Sequence, residues 1–153
     1  MRIRDATTGD LPALEALWRA FEAEVPEAPY VDVDLDRELR EVAEIVDREV
    51  AVVAEDGPGE LVGFALARRT GRRLGLLTDL YVVPAARGGG LATALVRRTV
   101  DRLRALWLDT VRLEVVAGNT RARELYAGWG FTEDELTLVA SLDELAERLS
   151  SPG

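Results

Sequence analysis

The chain has no cysteine, no histidine and no lysine. Without cysteine there are no disulfides, no thiolate nucleophile and no cysteine metal site. Without histidine the usual general base near neutral pH and the commonest metal ligand are missing too. Without lysine the phosphate loop of the G-x-x-x-x-G-K-[ST] type is excluded. No stretch approaches the roughly 20 consecutive apolar residues of a membrane-crossing helix. The segment Met1-Arg2-Ile3-Arg4-Asp5 is mixed and charged, unlike the apolar core of a secretion signal. The expectation is a cytoplasmic protein with no metal and no membrane partner.

What is present is an acidic chain of 153 residues with a formal net charge of −9. That length suits one domain with one well-formed core. The expected domain covers residues 1–149, with 150–153 as a frayed tail. Charge is unevenly spread. Eleven acids lie between Glu22 and Glu49 against only Arg37, Arg40 and Arg48. Between Arg68 and Arg104 there are nine arginines against Asp79 and Asp101. The net acidity argues against a nucleic-acid partner.

The basic middle contains the most informative segment, Thr78 to Arg98, which reads TDLYVVPAARGGGLATALVRR. An apolar β-type run, Leu80 to Val83, stops at Pro84. Arg87 and Gly88, Gly89 and Gly90 follow, and then Leu91, Ala92 and Thr93 open a helix. The first N–H groups of a helix have no intrahelical partner, and the dipole is positive there. Glycines let an anion approach the backbone. This is an anion cradle, with Arg87 as an added charge. The dinucleotide pattern G-x-G-x-x-G fails, because its last position is Thr93.

Two blocks narrow the reading. The first is L-x-V-x-P over Leu80, Val82 and Pro84, followed by R-x-x-G-x-A over Arg87, Gly90 and Ala92. The second comprises Leu113-Glu114-Val115, Asn119, Ala122, Leu125-Tyr126 and Gly130-Phe131. In order and spacing the pair resembles the acyl-CoA-binding signature of the GNAT N-acyltransferase superfamily. The resemblance is specific from about Asp79 to Phe131.

The coarse pattern agrees with an α/β fold. Strands are expected over residues 1–5, 50–55, 61–69, 76–83 and 110–116, with a last hairpin over 129–132 and 136–140. Helices are expected from Thr8 or Asp10 to Phe21, from Asp34 to Val46, from Gly89 to Leu106, from Thr120 to Ala127, and in a short C-terminal piece capped by Ser141. The order is β-α-α-β-β-β-α-β-α-β-β plus that helix. The resemblance implies a single GNAT-like domain, a mixed central sheet with helices on both faces.

It also implies a reaction, acetyl transfer from acetyl-CoA to a primary amine by direct attack. A covalent acyl-enzyme is disfavoured because cysteine and histidine are absent and no G-x-S-x-G elbow exists. Direct attack needs a neutral amine, a polarised carbonyl and a protonated leaving thiolate. By the resemblance, Tyr126 is the general acid; as an ordinary helical tyrosine it would instead be a core aromatic. Glu114 is the base by the resemblance, and by its strand position alone it could equally pair with Arg112. Asp79 is the rival base, or a ligand for the substrate ammonium. Leu80, Tyr81 and Val82 offer backbone groups to the pantetheine arm as an added strand would. Asn119 meets pantetheine or caps the Thr120 helix, roles that are compatible. The acceptor is expected to be a cationic small-molecule or peptide amine, steered by the acidic segment. Dimerisation is frequent in that family, so a homodimer is compatible with the chain. The reading from another class is a non-catalytic acyl-CoA-binding sensor or interaction module.

Overall fold

A computed structural model describes residues 1–26 and 28–151. The chain divides into two compact units, one from Met1 to Val116 and a second beginning at Ala117.

The first unit holds the sheet. Its strands are β1 (Arg2–Asp5), β2 (Val50–Glu55), β3 (Leu61–Arg69), β4 (Leu74–Val82) and β5 (Thr110–Leu113), and they lie side by side in that order. β1 to β4 form an antiparallel meander, and β5 joins β4 in parallel. A parallel neighbour needs a crossover connection, which the helix α3 (Leu91–Ala105) supplies. Helices α1 (Leu11–Glu24) and α2 (Leu35–Arg48) precede β2.

Strand alternation sorts the core into two faces. Val53, Phe64, Leu66 and Tyr81 pack with Leu14, Leu17 and Trp18 of α1 and Val42 and Ile45 of α2. Val52, Ala65, Leu77 and Val82 pack with Leu95 and Leu103 of α3. The one buried polar residue of α3, Thr99, donates its hydroxyl to the Leu95 carbonyl at 2.9 Å, so its burial leaves no orphaned hydrogen. The helix starts obey capping chemistry. Thr7 and Asp10 form a capping box around a 3-10 turn (Thr8–Asp10). Asp34 accepts from the Arg37 N–H at 3.1 Å and starts α2.

The second unit carries α4 (Thr120–Gly128) and α5 (Leu142–Ser150). Ser141 caps α5 by accepting from the Glu144 N–H at 3.1 Å. Of the tail expected to fray over residues 150–153, Ser150 is the last residue of α5 and Ser151 follows as its cap, while Pro152 and Gly153 lie outside the described residues.

The α/β class, the mixed sheet and the helices on both faces agree with expectation. The last hairpin differs. Residues 131–141 form no ladder, and Trp129 belongs to the turn that closes α4. Leu136, Leu138 and Val139 have the apolar pattern of a strand but are 72%, 88% and 63% exposed. Alternation makes a strand only where a partner strand and a face to cover are available. The fifth strand also ends at Leu113, three residues short of the expected Val116.

Candidate active site

Three features of β4 and its connection define the site. The first is a bulge. Leu66 of β3 pairs with Asp79 and Ala67 with Leu77, leaving Thr78 as the extra residue. Its hydroxyl donates to the Leu66 carbonyl at 3.2 Å. Bulges of this kind re-aim the residues around them.

The second is an open edge. Parallel pairing with β5 stops at Leu77 and Leu113. The Val83 N–H donates to the Val62 carbonyl at 2.9 Å, toward β3. By alternation the backbone groups of Leu80 and Val82 turn the other way, where β5 has ended. Of the three expected backbone contacts, Leu80 and Val82 therefore present N–H and C=O groups to that edge, whereas those of Tyr81 face β3. The Val82 carbonyl there accepts from Nε of Arg87 at 2.9 Å.

The third is the loop. Pro84–Ala86 form a 3-10 turn, and then Gly88 and Gly90 adopt φ of +88° and +79°. Those values favour glycine. A Cβ at Gly88, Gly89 or Gly90 would meet nothing within 4 Å, so the loop has open space beside its backbone. The first helical bond of α3 runs from the Ala94 N–H to the Gly90 carbonyl at 3.0 Å. The N–H groups of Leu91, Ala92 and Thr93 precede it and carry the positive end of a 15-residue helix. A free, glycine-lined helix start fits a pyrophosphate.

Arg87 is engaged elsewhere. It forms an ion pair with Glu24 at the end of α1, at 2.6 Å, and its guanidinium carbon stands 5.7 Å from the centre of the Tyr81 ring. Glu24 thus draws toward β4 a charge that the sequence assigned to the anion cradle. Tyr81 is buried, and burial first, then the Glu24 carboxylate, pushes its phenol pKa up.

Asp79 shares the Tyr81 face of β4, toward α1 and α2. Burial raises its carboxyl above the ordinary carboxylate range, against smaller opposing effects of Thr78 and Trp18, whose side chains are hydrogen-bond partners. Glu38 of α2 is also raised, first by burial, then by Glu41 and Asp79. Glu114 lies one residue beyond β5, exposed, and makes no ion pair among the described residues, with Arg112 or otherwise. Trp18, Glu24, Glu38 and Thr78 gather around β4 without having been singled out in the sequence. Trp18 fell inside an expected helix and Glu24 and Glu38 inside the acid run, so only the fold reveals their company.

In the second unit Asn119 caps α4 by accepting from the Ala122 N–H at 3.2 Å. Tyr126 is half-buried, with Trp129 and Phe131 ring centres each 6.0 Å away. Burial raises its phenol pKa. No helix is long and apolar enough to cross a membrane, and no group of three His, Cys, Asp or Glu side chains could hold a metal ion, among the described residues.

The meander, the bulged and open-edged β4 and the glycine loop at a helix start are the frame of one class of acyltransferase. The chain belongs to the acetyltransferase (GNAT) family, whose model matches residues 12–131. A mycothiol acetyltransferase of Beutenbergia cavernae is 35% identical over 131 residues, covering 82% of this chain. The match covers only 44% of that relative, so the chain spans less than half its length. The crystal structure of a ribosomal-protein-alanine N-acetyltransferase from Brucella melitensis matches at 30% identity and TM-score 0.69, over 88% of this chain and 86% of that one. At 18% identity the likeness to AAC(6')-Iy, solved with a bisubstrate CoA analogue, is one of fold, with TM-score 0.72 over 92% of this chain and 96% of that one.

Proposed function

We propose that residues 1–149 form one catalytic domain that transfers an acetyl group from acetyl-CoA to a cationic primary amine. The observation that carries this reading is the loop at the start of α3, with two positive-φ glycines, open space at three Cβ positions and three N–H groups preceding the first helical bond. The N–H groups from Gly88 to Thr93 hold the pyrophosphate, and the open edge at Leu80 and Val82 holds the pantetheine amides. A donor on that edge also polarises the acyl carbonyl. Acetyl-CoA supplies an acyl group already activated as a thioester.

Asp79 is the base that takes the ammonium proton. A general base works best when its pKa lies closer to the working pH than an ordinary carboxylate does, and burial moves Asp79 that way. Glu114, exposed beyond β5, has no comparable environment. Tyr126 gives its proton to the departing thiolate. Its place in the matched family segment supports that role, and a phenol is protonated at neutral pH and so has a proton to give. The acceptor is cationic because Asp79 has Glu38 and Glu41 for company. The names of relatives span mycothiol and a ribosomal-protein alanine, so both small-molecule and peptide acceptors are represented.

One experiment separates holding from turning over. CoA affinity by calorimetry and thiol release from acetyl-CoA across an amine panel are measured for the parent, Gly90→Val and Tyr126→Phe. Gly90→Val introduces a β-branched side chain at φ +79° in the cradle and should weaken CoA binding more than about tenfold. Tyr126→Phe should keep CoA affinity and lower turnover by roughly 10²-fold. Equal affinity in folded Gly90→Val overturns the cradle. Tight CoA binding by the parent without thiol release from any amine favours the non-catalytic sensor.

A further inference from the structure

The end of α3 breaks two local rules at one residue. The helix closes in a Schellman motif. The Trp107 N–H donates to the Arg104 carbonyl at 2.9 Å, and the Leu108 N–H to the Leu103 carbonyl at 3.3 Å. Leu103 and Leu108, the apolar pair that accompanies such a motif, are both buried. The position between cap and closing leucine needs a left-handed backbone and is usually glycine. Here it is Trp107, at φ +64°, the only non-glycine residue with positive φ among the described residues. The residue is 90% exposed. Neither the backbone conformation nor the exposed ring helps the fold.

The surroundings are basic. The Leu106 carbonyl accepts from Arg69 at 2.6 Å, and the Asp109 and Thr110 N–H groups donate to the Arg73 carbonyl. The loop therefore sits against the β3–β4 hairpin, which bears Arg68, Arg69, Arg72 and Arg73. Arg104 lies in the last turn of α3. The acids here are partly spoken for: Asp109 is paired with Arg73, and Glu49 accepts from the Arg69 backbone. Asp101 lies one turn back on α3. Arg68, Arg72 and Arg104 are exposed and in no ion pair among the described residues.

We propose that Trp107 anchors an interaction surface for a short acidic segment of a partner protein. A large, rigid, exposed aromatic on a loop held against an arginine-bearing hairpin has the composition of an interface hot spot. Charge complementarity fixes the sign of the partner. A small group of unpaired arginines on a chain of net charge −9 suits a short acidic peptide better than a long run of phosphates or a charged bilayer.

The test uses the whole chain and a labelled synthetic peptide of alternating glutamate and leucine, followed by fluorescence anisotropy at low and physiological salt. The parent should bind it saturably and more weakly as salt rises. Trp107→Gly should weaken binding more than about tenfold, and the pair Arg72→Gln and Arg104→Gln should flatten the salt dependence. The same Trp107→Gly protein should melt no lower than the parent, and by relief of backbone strain roughly 2–4 °C higher. A lower melting temperature would make Trp107 a structural residue and overturn the proposal. So would equal peptide binding by Trp107→Gly, or an absence of binding by the parent up to millimolar peptide. Trp107-dependent binding to anionic vesicles or to RNA, with none to the peptide, would overturn the choice of partner.

Discussion

Asp79 couples function to stability through a single proton. Its folded pKa is raised, chiefly by burial, so the folded state binds that proton more tightly than the unfolded chain does. The favourable contribution is complete below the unfolded value near 3.8 and is lost as pH rises through the folded one. At neutral pH the buried carboxylate therefore opposes folding. Asp79→Asn should melt at or above the parent at pH 7, with the gap closing as pH falls toward 4. Its turnover should drop by about 10²-fold or more, and the acidic limb of the parent's rate profile should disappear. A lower melting temperature at pH 7 with unchanged turnover would show that Asp79 is a structural hydrogen-bond acceptor for Trp18.

Among the elements, β3, β4 and α3 meet with no slack at Gly63. A Cβ there would stand 2.9 Å from the Tyr81 carbonyl oxygen and 3.1 Å from a Leu95 methyl. Backbone cannot swing aside as a long side chain can, so Gly63→Ala should cost about 1–3 kcal/mol of overpacking. A shift of the urea midpoint at constant m-value would report it. The close approach at Gly63 was not legible in the sequence, but β4, the loop and α3 were, because each follows a strong local rule, namely an apolar run, punctuation by Pro84 and three glycines, and helical spacing from Leu91. Asp34 and Ser141 announced their helices by cap chemistry. The last hairpin was misread because Leu136, Leu138 and Val139 carry a strand's pattern without a strand's partner. The bulge at Thr78 and the turn of Arg87 toward Glu24 were not legible either. Both depend on which chain segment lies opposite, and no spacing along one strand encodes that.

At the scale of the whole molecule the charge is segregated along the chain, with acids on α1, α2 and their connection and arginines from the β3–β4 hairpin through α3. Glu27, one of the eleven acids, lies outside the described residues. A negative field concentrates ammonium substrates and weakens with salt over a Debye length of about 8 Å at physiological ionic strength. Replacing Asp32, Asp34 and Asp36 together by Asn should lower kcat/KM for cationic amines and flatten its salt dependence, leaving CoA affinity unchanged. Asp34 also caps α2, so the melting temperature of the triple variant must be followed beside the kinetics. Identical salt profiles in variant and parent would leave the acids as solvation alone.

The open edge of β4 has one more consequence, in the time domain. The amides of Tyr81 and Val83 face β3 and are locked into the ladder, whereas those of Leu80 and Val82, their immediate neighbours, face the edge that β5 leaves bare. Four consecutive residues should therefore trade their amide hydrogens for deuterium at alternating speeds, fast at 80 and 82 and slow at 81 and 83. Adding CoA should slow the fast pair and leave the slow pair untouched. Residue-resolved exchange by NMR would then report cofactor docking even before any acceptor amine is known.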